Sequence, residues 1–142
     1  GITTYALAEC YALTKAPELR EPLLGAVRWI ITNQSRSRDR RNRGGWGYFS
    51  STMEPEDGYS RSSTTAWQVM ALESAKLSGI QVPDESLVSA REFLLNNYDP
   101  RNRYFLYNHE PERLRSEWPT LPASTPAAGR FRESMLGTRP VA

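Results

Sequence analysis

The feature that most narrows what this chain can fold into is an internal echo: two helix pairs, joined by long polar connections, can be laid over one another. Thr3-Thr4 overlies Thr64-Thr65 at an offset of 61, and Ala26-Val27-Arg28-Trp29-Ile30-Ile31 overlies Ala90-Arg91-Glu92-Phe93-Leu94-Leu95 at 64. The connections repeat as well. Arg41-Asn42-Arg43 runs into Gly44-Gly45-Trp46-Gly47-Tyr48, and Arg101-Asn102-Arg103 runs into Tyr104-Phe105-Leu106-Tyr107. Ser124-Thr125 lies another 61 residues beyond Ser63-Thr64. The expected organisation is one all-α domain or fragment over 1–142, with repeat 1 at about 2–61, repeat 2 at about 62–123 and a partial repeat 3 at about 124–137.

Within each pair the two helices differ in kind. Residues 3–15 carry Tyr5, Leu7, Ala8, Cys10, Tyr11 and Leu13 around nearly the whole circumference, which predicts a buried helix with Cys10 as a core thiol. Residues 17–34 place Leu23, Leu24, Val27, Ile30 and Ile31 on one stripe opposite Arg20, Glu21 and Arg28, a one-sided helix. Pro22 is expected near its start, where a missing amide costs little. Ser62-Ser63-Thr64-Thr65 offers four candidate caps for a third helix, apolar all round through Trp67, Val69, Met70 and Leu72 and closed by Gly79. Val82-Pro83-Asp84-Glu85 opens a fourth with the stripe Leu87, Ala90, Phe93 and Leu94. A fifth, short helix is expected over 124–136. No alternating pattern predicts a strand. A hairpin with an apolar inner helix cannot cover that helix alone, so neighbouring pairs, from the rest of a larger parent chain or from another protein, are expected to do so.

At this point the residues resemble the prenyltransferase and squalene-oxidase repeats of terpenoid cyclases such as squalene-hopene cyclase. Trp29-Ile30, Gln34 and Gly44-Gly45-Trp46 follow that family's glutamine-tryptophan motif, with a longer spacer after Gln34. Ser63-Thr64-Thr65-Ala66-Trp67-Gln68-Val69-Met70-Ala71-Leu72 is similar to the start of its inner helix, and Val82-Pro83 with Ala90, Phe93 and Leu94 to its outer helix. The resemblance implies an α/α toroid (α/α barrel) segment: about two and a half helix-hairpin repeats, inner helices ringed by outer ones, with long loops between them. In such repeats the glycines permit a tight loop, the Trp46 indole covers a helix-pair end, and the Gln34 amide satisfies free backbone groups.

The resemblance also says where acid chemistry would lie. Cyclases that protonate a polyene carry an acidic segment immediately before Thr-Ala, and here Arg61, Ser62, Ser63 and Thr64 stand there without a carboxylate. Asp57 and Glu56 are the nearest candidate acids, in a polar loop that predicts solvation rather than catalysis. Trp46, Tyr48, Tyr59 and Trp67 are the candidate substrate-binding aromatics, with core cover at the helix-pair ends as the alternative. One cysteine and one histidine, Cys10 and His109, cannot supply an ordinary zinc site, so no metal and no cofactor is expected. No glycine loop cradles phosphate, and no nucleophile elbow precedes a histidine.

Among the basic residues there are 16 Arg and 2 Lys, and Arg36, Arg38, Arg40, Arg41 and Arg43 crowd one connection although the net charge is only +2. The Arg excess fits a GC-rich, bacterial coding source. Polyanion binding through these five arginines is one reading; a solvated loop is preferred and nucleic acid is disfavoured as a partner, because Asp39 interrupts the run and no stacking ladder accompanies it. No apolar run reaches the roughly 18 residues of a membrane span, and the first residues lack the layout of a signal peptide. The preferred expectation is a noncatalytic repeat domain, a structural or binding module of a larger protein. Its rival is a fragment of a terpenoid cyclase-like enzyme whose apolar aromatic cavity takes an apolar small molecule.

Overall fold

A computed structural model describes residues 1–48, 59–101 and 103–108. Four helices form where the periodicity places them: α1 Ile2–Thr14, α2 Pro17–Thr32, α3 Ser62–Leu77 and α4 Asp84–Asn96. The stop signals act as their chemistry demands. Pro17 opens α2 at its first turn, and Gly79 ends α3 at φ +96°, with Gly79 N–H donating to Lys76 O and Ile80 N–H to Ala75 O. Pro22 lies inside α2 rather than at its start, five residues after Pro17, so the Glu18 carbonyl loses its intrahelical donor at an exposed position.

The core is the seam between the helices. Leu23, Val27 and Ile30 of α2, Val69 and Leu72 of α3, and Phe93 of α4 are all buried, with Ala8 the apolar contribution of α1. α1 and α3 pack side by side; Ser74 Oγ donates to Glu9 Oε1 and Lys15 Nζ donates to Ser78 O at 2.8 Å across that seam. The two hairpins also end alike. Asn33 caps α2 at φ −92°, ψ 6° and Asn97 caps α4 at φ −94°, ψ 1°, and each side-chain Nδ2 reaches back four residues, to Trp29 O at 2.9 Å and to Phe93 O at 2.8 Å. These pairs stand 64 residues apart, the offset at which the outer helices overlay in sequence.

Three expectations change. α1 is not enclosed: Thr4 and Ala8 are its buried residues, while Ile2, Leu13 and the Cys10 thiol are exposed. An apolar circumference asks for cover, but α1 meets neighbours on one side alone, so Cys10 is a surface thiol. Secondly, none of Ser62 to Thr65 is the N-cap of α3; Arg61 is, without a side-chain cap bond. Thirdly, a two-residue antiparallel ribbon, β1 Tyr98–Asp99 with β2 Tyr104–Phe105, forms in the second connection, turning through Arg103 at φ +56°. Such short pairing leaves no alternation long enough to read. The fifth helix of 124–136 lies outside the described residues.

Candidate functional site

Both long connections converge on the start of α3. From the first, the Trp46 indole Nε1 donates to Ile30 O at 2.8 Å, closing the free end of α2, while its backbone N–H donates to Thr65 Oγ1 at 3.0 Å and its carbonyl accepts from the Arg61 amide at 2.9 Å. From the second, Tyr107 O accepts the Ser62 amide at 2.9 Å and Leu106 O accepts the Ser62 hydroxyl at 2.6 Å. Two of the hydroxyls that look like caps, those of Ser62 and Thr65, are therefore spent on tertiary bonds.

The turn that carries Trp46 is held by contact as much as by hydrogen bonds. Gln34, buried, donates from Nε2 to Gly44 O and to Ser86 O of α4, both at 2.8 Å. Gly44 has φ +85°, and a Cβ there would lie 2.2 Å from Ser89 O; one on Gly45 would lie 2.6 Å from the Ser60 Cβ and 3.0 Å from a Phe93 ring carbon. Only glycine permits the first hairpin's loop to press this closely on α4. The motif thus ties the end of one hairpin to the flank of the next.

Above this turn sits a charged aromatic cluster. The Arg61 guanidinium lies 4.5 Å from the Tyr48 ring centroid and 5.8 Å from that of Tyr107, and its Nη1 donates to Tyr59 O at 3.0 Å. The Tyr48 and Tyr107 hydroxyls are hydrogen-bonded to each other, clasping the two connections together. Burial, then the bond and charge of Tyr48, push the Tyr107 phenol up to about 12 against the opposing pull of Arg61. A guanidinium already occupies faces of both rings, and its charge repels a cationic intermediate. This cluster joins the two connections.

The four predicted aromatics therefore part company. Trp46 is buried and fully engaged, Tyr48 is exposed over Arg61, Tyr59 is half-buried and offers a carbonyl, and Trp67 is exposed on α3 beside Gly1. An open groove of about 800 Å³ between α2 and the α3–α4 connection is lined by Leu24, Val27, Ile31, Ile80 and Val82, and by none of the four. Asp57, Glu56 and His109 lie outside the described residues. Among the described residues no group of three or more His, Cys, Asp and Glu could hold a metal. Sequence reasoning passed over Arg61 as a member of this cluster and set Tyr107 beside Tyr48 only as its counterpart in the equivalent connection, since the contacts among the three are visible only in space. It also passed over Glu73 on α3, whose carboxyl burial pushes up while Lys76 pulls it back.

Compared with known proteins, this chain matches no family model, no curated protein and no solved structure.

Proposed function

We infer that the chain is a noncatalytic segment of α/α-toroid repeats, related to the prenyltransferase and squalene-oxidase type, that serves as a structural or binding module. The observation that carries this reading is the use made of the motif residues. Gln34, Gly44, Gly45, Trp46 and Thr65 hold one hairpin to the next, Ser62 ties the start of α3 to the connection after α4, and the polar side chains among them are hydrogen-bonded. The positions that the resemblance assigns to the acidic segment, Arg61 to Thr64, carry a cap, one tertiary hydroxyl bond from Ser62 and no carboxylate. A scaffold spends such residues on stability, whereas an active site leaves them poised and costly.

Stability and turnover together test it. Gln34→Ala strips a donor from two carbonyls and Gly45→Ala forces a methyl against Ser60; each is expected to lower unfolding free energy by about 1–3 kcal/mol in urea melts. The full chain incubated with squalene is expected to return it unchanged. A cyclised product, or motif variants as stable as the parent chain, overturns the reading.

A further inference from the structure

Loop 35–44 carries Arg36, Arg38, Arg40, Arg41 and Arg43, and its backbone is held from several sides. Gln34 Nε2 binds Gly44 O, Ser60 Oγ donates to Asn42 O at 2.8 Å, and Asn96 Nδ2 at the end of α4 donates to Arg40 O at 3.2 Å. Within the loop the Asp39 carbonyl accepts the Asn42 and Arg43 amides, and its carboxylate pairs with Arg41 at 3.3 Å. Asn42 is buried beneath while all five arginines are exposed. Arg36 and Arg38 make no hydrogen bond or ion pair among the described residues. Two polar hollows flank the loop. One of about 360 Å³ lies among Arg40, Arg43, Glu92 and Asn96, and one of about 530 Å³ among Arg36, Arg43, Ser35, Ser86 and Ser89; Arg43 borders both.

We propose that loop 35–44 is a binding surface for the phosphodiester backbone of a nucleic acid. A guanidinium grips phosphate with two parallel donors, and a pre-ordered loop spends less entropy on binding than a free one. Arg36, Arg38, Arg40 and Arg43, all exposed along one short loop, suit a ligand bearing successive anionic groups. The loop contains no apolar side chain to enter a bilayer, which separates it from basic segments that anchor in lipid. Glu85 and Glu92 line the hollows and keep phosphates at the arginine rim, and no aromatic residue of the loop can stack on a base. The surface therefore takes the backbone without reading its sequence. This inference stands apart from the scaffold reading and survives its failure.

The test is anisotropy of a labelled 20-nucleotide single strand titrated with the full chain between 50 and 200 mM salt. With Arg41 paired to Asp39, four outward arginines predict a log–log slope of about −3 and roughly a fiftyfold loss of affinity across that range. Arg36→Ala with Arg38→Ala leaves every bond that shapes the loop intact and is expected to reduce the slope to about half. Arg20→Ala with Arg28→Ala, on α2, is the charge-matched control and is expected to bind as the parent does. Failure to retain the strand at 50 mM salt overturns the proposal, as does equal weakening by the α2 control. Binding to phosphatidylserine vesicles but not to the strand overturns it in favour of lipid.

Discussion

The two hairpins end alike and have opposite surroundings. Trp29 and Phe93 stand at equivalent positions 64 residues apart, each the carbonyl to which an asparagine cap returns, yet Trp29 is 57% exposed and Phe93 is 0% exposed. At an offset of 61, Thr4 and Thr65 are both buried, but Leu13 is 85% exposed where Ser74 is 6% exposed. The neighbours of each helix explain the difference. α3 is flanked by α1, α2, α4 and both connections, and Phe93 lies under Gly45 of the first hairpin's loop; α1 and α2 have no such neighbour on their far side among the described residues. Burial is here a property of the neighbour as much as of the residue.

The sharpest way to break this comparison is to truncate both aromatics. Phe93→Ala is expected to cost about 3–5 kcal/mol, and Trp29→Ala under about 1 kcal/mol, in equilibrium unfolding; equal losses would show that something covers Trp29. Enlargement probes α1 and α3 in the same manner. Ala71→Leu is expected to cost about 1–3 kcal/mol by overpacking, while its equivalent Cys10→Leu at an exposed site stays within about 0.5 kcal/mol. A native-state thiol reagent should accordingly label Cys10 without unfolding.

Smaller effects sharpen the contrast between the two connections. Phe105 fills the second with a ring that packs 5.0 Å from Tyr98 and carries no donor, whereas Trp46 in the first also bonds Ile30 O. Trp46→Phe makes the two alike and is expected to cost about 1–2 kcal/mol, read as a lower urea midpoint at unchanged m-value. The Tyr48–Tyr107 clasp gives the least effect, confined to alkali. The Tyr107 phenol ionises near 10 when unfolded and about 12 when folded, so the unfolded state releases its proton first. Its stabilising contribution is complete below pH 10 and declines as pH rises toward 12. Tyr107→Phe is expected to flatten that decline in thermal melts; an unchanged slope would place its cause elsewhere.

Helix boundaries were legible because their determinants are local. Pro17, Gly79 and the threefold and fourfold spacing of Leu23, Val27 and Ile30 act within a turn or two of where they stand. The role expected of Trp46 was legible too, since its indole closes the end of α2 at Ile30 O, whereas Gln34 reaches the Gly44 and Ser86 carbonyls rather than the free groups of a helix end. The fates of Ser62 and Thr65 were not. A hydroxyl before an apolar run reads as a cap, and only the arrival of Leu106 and Trp46 from distant segments redirects it. The same reason separates the candidate aromatics: Trp46, Tyr48, Tyr59 and Trp67 share a character in sequence but are not gathered on one surface in space.

By itself, then, the sequence determined four helices, their ends and the 61- and 64-residue echo, because hydrophobic period, proline and glycine act over a few residues. Only the tertiary structure decided which apolar helix is covered, where the Ser62 and Thr65 hydroxyls are spent, and that Arg61 lies between the rings of Tyr48 and Tyr107. Those outcomes depend on which distant segment arrives alongside, and a residue's composition and spacing carry no record of the neighbour it will meet.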